Sequence, residues 1–121
     1  MPKSFEPGAL LGHVYTLGGG LLVRLRLARS SDAPAIKRLL EEQGRGGSDF
    51  EIARLVHFDP RRRYVVCATG LVDSTEVLLG VGAIGLDGVI EPDLLIVDGQ
   101  CPEQVAELLR TALVACAARA A

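Results

Sequence analysis

The chain has 121 residues, of which 49% are hydrophobic, and a formal net charge of -2. That length suits a single domain with a buried core. No run of about 18 apolar residues is present, which excludes a transmembrane helix, and the chain lacks the basic excess of a nucleic-acid binder.

Lys3 is followed by Glu6, Pro7 and Gly8, which interrupt any apolar stretch, so no signal peptide is expected. The three cysteines, Cys67, Cys101 and Cys116, have no metal or redox spacing and suit a reducing cytosol, so a cytoplasmic protein is expected. Charge is uneven. Residues 24–63 carry ten Lys/Arg against six Asp/Glu, and residues 64–121 carry two against eight.

Residues 1–20 combine Pro7, Gly8 and the run Gly18-Gly19-Gly20, and are expected to form a flexible or loosely docked arm. The glycine run lacks the strand-then-helix context of a phosphate loop and is taken as a linker. Leu21 to Ala28 alternates, with Val23, Leu25 and Leu27 on one side and Arg24 and Arg26 on the other, which predicts a half-buried strand. Ser31 and Asp32 offer an N-cap, with Pro34 in the first turn. Ile36, Leu39 and Leu40 supply a helical stripe, and Gly44 is placed just past the helix end.

After Gly46-Gly47, the run Ser48-Asp49-Phe50-Glu51 matches a capping box. Ile52, Leu55 and Val56 supply the buried face of this second helix, and Asp59-Pro60 stops it. Tyr64 to Leu71 is a nearly continuous apolar strand, expected to be covered on both faces. Asp73-Ser74 turns the chain into a second apolar strand, Val77 to Leu86. Gly80, Gly82 and Gly85 within it mark a bulge or a close backbone contact. Asp87-Gly88 signals a tight turn, and Leu94 to Val97 is a further strand. From Pro102 to about Arg119, Val105, Leu108, Leu109, Ala112, Leu113 and Cys116 form the stripe of a last helix.

The predicted class is α/β, with the order β-α-α-β-β-β-α and a mixed, mostly antiparallel sheet flanked by helices. Residues 21–121 form one domain behind the arm.

The opening Val23-Arg24-Leu25-Arg26-Leu27-Ala28-Arg29-Ser30-Ser31-Asp32-Ala33-Pro34-Ala35-Ile36, together with this order of elements, resembles the GNAT superfamily of acyl-CoA N-acetyltransferases over roughly residues 21–118. The resemblance implies a loop of pattern Gln/Arg-x-x-Gly-x-Gly/Ala entering the last helix, whose bare amides cradle the pyrophosphate of the cofactor. Here that place is Gln100-Cys101-Pro102-Glu103-Gln104-Val105. Gln100, Cys101 and Gln104 are thus the candidate cofactor-binding positions of a degenerate loop. Only Gln100 fits the pattern. Pro102 removes a donor, and Val105 places a branched side chain where a glycine is expected. Glu103 sets a carboxylate beside a diphosphate, and two like charges about 4 Å apart repel by roughly 4 kcal/mol at an effective dielectric of about 20. The closing strands of the family, and a tyrosine acting as general acid, find no counterpart before Ala121. Tyr15 and Tyr64 lie elsewhere, and no catalytic residue is assigned.

The resemblance therefore implies a GNAT-like module lacking its C-terminal strands and independent acetyl transfer. No cofactor is expected, and the Leu94–Val97 edge is left to pair with a second copy or a sheet-completing partner. The alternative is an acetyl-CoA-dependent N-acetyltransferase with a remodelled loop. A small-molecule or regulatory binding domain is a third reading.

Other candidate groups have simpler readings. His57 suits a helix C-terminus, and neither it nor His13 has metal-ligand spacing around it. Cys101, just before a helix, is opposed as a thiolate by Asp98 and Glu103, while Cys67 and Cys116 are read as core. Arg61-Arg62-Arg63 is a basic turn, and Glu91 and Asp93 flank Pro92 in an acidic one.

Overall fold

The computed structural model describes residues 11, 13–91, 94–98 and 102–120. Five strands, β1 (Val14–Thr16), β2 (Leu22–Leu27), β3 (Arg63–Val72), β4 (Thr75–Gly85) and β5 (Ile96–Val97), form one sheet in sequential order, and every pair is antiparallel. Three helices, α1 (Ala33–Glu42), α2 (Asp49–Val56) and α3 (Pro102–Ala120), complete an α/β fold. The α1–α2 pair fills the connection between β2 and β3.

Two cores flank the sheet. On one face, Val105, Leu109, Leu113 and Cys116 of α3 meet Val23, Leu25, Val66 and Ala68. On the other, Ile36, Leu39 and Leu40 of α1 and Ile52, Leu55 and Val56 of α2 meet Val65, Cys67, Val81 and Ala83. Each such aliphatic side chain, fully buried, contributes about 1.5–3 kcal/mol. The apolar run of β3 is covered on both sides as expected, with Val65, Val66, Cys67 and Ala68 each 0% exposed.

The local punctuation follows its chemistry. Gly44 adopts φ +72°, its N–H donates to Glu41 O, and Arg45 N–H donates to Leu40 O, which closes α1 with a Schellman motif. Glu51 N–H donates to Ser48 Oγ at 3.1 Å and Ser48 N–H donates to Glu51 Oε1 at 3.1 Å, so the capping box of α2 forms as expected. Asp73 and Ser74, with φ of 52° and 66°, make a two-residue hairpin turn of the primed type.

Several expectations are corrected. Val14–Thr16, within the predicted arm, is a strand, so the observed order is β-β-α-α-β-β-β-α. Three residues are too few for an alternation signal, and pairing with β2 supplies what the sequence lacks. The glycine run joins these two strands as a turn, with Gly19 and Gly20 at φ +75° and +80°. The sheet is antiparallel throughout rather than mixed: each described strand lies beside its predecessor and runs opposite to it, and the two helices between β2 and β3 return the chain without a parallel crossover. The last strand is shorter than Leu94–Val97. Leu94 N–H donates to Glu91 O in a turn, and only Ile96 and Val97 join the sheet.

The glycines of β4 have the predicted role. A Cβ at Gly80 would stand 3.0 Å from Leu109 Cδ1, and one at Gly82 would stand 2.8 Å from Leu113 Cδ1, so both let α3 approach the sheet. The register shifts at Ala68/Thr69, where Leu78 and Gly80 are the successive partners and Leu79 is the extra residue of a bulge.

Candidate functional site

The predicted cofactor loop enters α3. Gln100 and Cys101 lie outside the described residues, as does Asp93. Gln104 sits exposed in the first turn of α3, where its Oε1 accepts from Gly18 N–H at 2.9 Å. The β1–β2 glycine turn is thereby held against the head of that helix. Glu103 is exposed beside it. Val105 is 0% exposed and belongs to the core beneath α3, so its branched side chain points into the protein instead of standing over the loop.

β5 closes the sheet on one side. Ile96 is buried and Leu94, Leu95 and Val97 are half-buried, each packed on one of the two cores. Asp98 N–H donates to Leu79 O at 2.8 Å. By the alternation of an antiparallel pair, the N–H and C=O of Val97 therefore face away from β4.

The two thiols described are poor nucleophiles. Burial, reinforced by the Asp32 carboxylate, pushes Cys67 up to about 12. Burial alone pushes Cys116 up to about 11. Both are core residues, as read from the sequence. His57 caps the C-terminus of α2, where its backbone N–H donates to Ala53 O. Tyr64 packs against Phe58 with ring centroids 6.1 Å apart. Among the described residues, no group of three His, Cys, Asp or Glu is placed to hold a metal ion.

The basic run divides. Arg61 and Arg62 are exposed and pair with Asp59 at 3.2 and 3.9 Å. Arg63, the first residue of β3, donates through Nη1 to both carboxylate oxygens of Glu91, at 3.0 and 3.1 Å. Glu91 is thus occupied by an arginine.

One constellation escaped the sequence reading. Arg26 and Asp32 form a two-point ion pair, with Nη1 to Oδ2 and Nη2 to Oδ1 both at 2.7 Å, and Asp32 Oδ2 also accepts from Arg29 N–H at 2.8 Å. Asp32 occupies the N-cap position of α1 but makes no side-chain bond to that helix, because Arg26 and Arg29 N–H claim its oxygens. Burial pushes its carboxyl up. The hydrogen bonds from Arg26 and Arg29, and their charges, outweigh that and hold it below the ordinary carboxylate value. Hydrogen bonding to Asp32 correspondingly raises Arg26. Glu76 lies 3.9 Å from Arg26 Nε and accepts from Thr69 Oγ1 at 2.7 Å. The available signal was the strand's own alternation, which set Arg26 on the face that α1 would have to cover.

Comparison of the chain with protein-family profiles, with curated proteins and with solved structures finds no match. Among the described residues, no helix is long and apolar enough to cross a membrane.

Proposed function

We propose that this chain is an acetyltransferase-like, GNAT-fold domain of the cytoplasm that lacks independent acetyl transfer. It acts through protein contacts, as a homodimer or with a partner that continues its sheet. The observation that carries this reading is the outer edge of β5. That edge is guarded by its shortness alone: β5 is only Ile96 and Val97, and neither a charge nor a proline stands there. The backbone of Val97 faces outward there and offers a donor and an acceptor to another strand. Light scattering at micromolar concentration should report a dimer. Val97→Pro, which removes the outward N–H together with a half-buried side chain, should return it to monomer, whereas Val97→Ala, which keeps the N–H, should remain a dimer. A stable wild-type monomer that also retains no partner strand overturns the proposal.

The position of Val105 favours a second reading, an acetyl-CoA-dependent N-acetyltransferase with a remodelled cofactor loop. With that side chain in the core, one of the three obstacles to a diphosphate at the head of α3 is removed. On this reading acetyl-CoA at 100 times its dissociation constant adds about 2.7 kcal/mol of stability. A thermal-shift titration that shows no change at millimolar acetyl-CoA eliminates it.

A further inference from the structure

A cleft of about 450 Å³ opens between α2, the α1–α2 connection, the start of β3 and the turn before β5. Its apolar lining comes from Leu40, Ile52 and Leu55, all buried, and from the half-buried Leu94. Its charged lining includes Arg54 and Arg63. The same two arginines line an adjoining depression of about 390 Å³, which adds Arg62 and His57. Arg54 and Arg63 are thus common to both hollows.

These arginines have hydrogen-bonding capacity to spare. Arg54 stacks over Phe50 at 6.0 Å, and among the described residues it has no carboxylate partner. Glu91 takes both of its contacts from a single nitrogen of Arg63, so Nε and Nη2 of Arg63 make no hydrogen bond among the described residues. Two acids lie nearby, one of them, Glu51, in the cleft lining itself, where Arg45, Arg54 and Arg63 outnumber it. Glu51 Oε1 accepts from Ser48 N–H in the capping box, and Asp59 is paired with Arg61. A planar guanidinium with unused N–H groups beside an apolar floor is suited to a carboxylate or phosphate that carries hydrocarbon. The cleft's volume falls within the range of about 300–1,000 Å³ used for small ligands.

We propose that this cleft binds a small amphipathic organic anion. Its apolar body rests on Leu40, Ile52, Leu55 and Leu94, and its carboxylate or phosphate is held by Arg54 and Arg63. The site is distinct from the outer edge of β5 and does not depend on whether the chain dimerises.

The test is an amide NMR titration of the full chain with octanoate and with octyl phosphate, with octylamine and inorganic phosphate as counterparts. One or both amphipathic anions should shift the Gly46 and Gly47 amides saturably at millimolar concentration, and the tighter of the two identifies the head group. Arg54→Glu changes an exposed helix position and should weaken that binding by at least about tenfold while leaving the remaining spectrum in place. Arg61→Glu, outside the cleft, should leave it unchanged. The proposal is overturned if neither anion gives a saturable shift, if octylamine or inorganic phosphate binds equally well, or if Arg54→Glu binds like the wild type.

Discussion

The two faces of the sheet are built on different principles. Under α3 the contact is wholly apolar, and it is brought close by the missing side chains of Gly80 and Gly82. Under α1 and α2 the apolar core shares its face with the Arg26–Asp32 pair and borders a cleft lined by arginines. The first face supplies cohesion. The second carries the charges. The uneven charge along the chain has its structural meaning here, because the basic stretch 24–63 is β2, α1, α2 and the start of β3.

The contrast can be broken most sharply at Asp32. Asp32→Ala leaves the half-buried Arg26 with only the 3.9 Å contact to Glu76 and should cost about 3 kcal/mol in urea unfolding, the low end for breaking a buried pair. Replacing both partners with apolar residues, Arg26→Met with Asp32→Leu, should recover most of that loss, because neither charge then needs solvation. The pair also has a pH signature. The folded-state value of Asp32 lies below its unfolded value of about 3.9, so its contribution is complete above that pH and drains away as pH falls through the folded value. Unfolding curves of wild type and the double variant should therefore differ in acid and run parallel near neutrality.

On the opposite face, Leu109→Ala should cost about 3 kcal/mol, with no acid dependence of its own. Gly82→Ala, whose new Cβ meets Leu113 Cδ1 and Leu95 Cδ1, should cost about 2 kcal/mol by displacing α3. The smallest effect sharpens the comparison at the rim of the cleft. Ser48→Ala removes one bond of the capping box and should cost about 1 kcal/mol, read as a fall in the denaturant midpoint.

Elements whose signals are local were legible in the sequence. Ser48 and Glu51 fix a helix start within four residues, Gly44 fixes an end, and the uninterrupted run Val65 to Ala68 announces a strand covered twice. What stayed hidden depends on partners distant in the chain. β1 exists through pairing with β2, and the shortening of β5 comes from a turn back to Glu91. The candidate site divided along the same line. Gln104 was placed correctly at the head of the last helix, yet its bond to Gly18 spans 86 residues of sequence. The arginine cleft was invisible as such: Arg63 was read as part of a basic turn, Arg54 was not singled out, and only the fold brings α2 beside the start of β3.

The bulge in β4 carries one more consequence. Leu79, the supernumerary residue, fits over Gly70, where an added Cβ would come within 2.6 Å of its Cδ1. A side chain at position 70 would therefore require Leu79 to turn aside or to be smaller. A related chain with a side chain at the first is expected to carry a smaller residue, or a deletion, at the second, since the ladder on either side closes in register without the insertion. The two sites should exchange volume as a couple wherever this hairpin recurs.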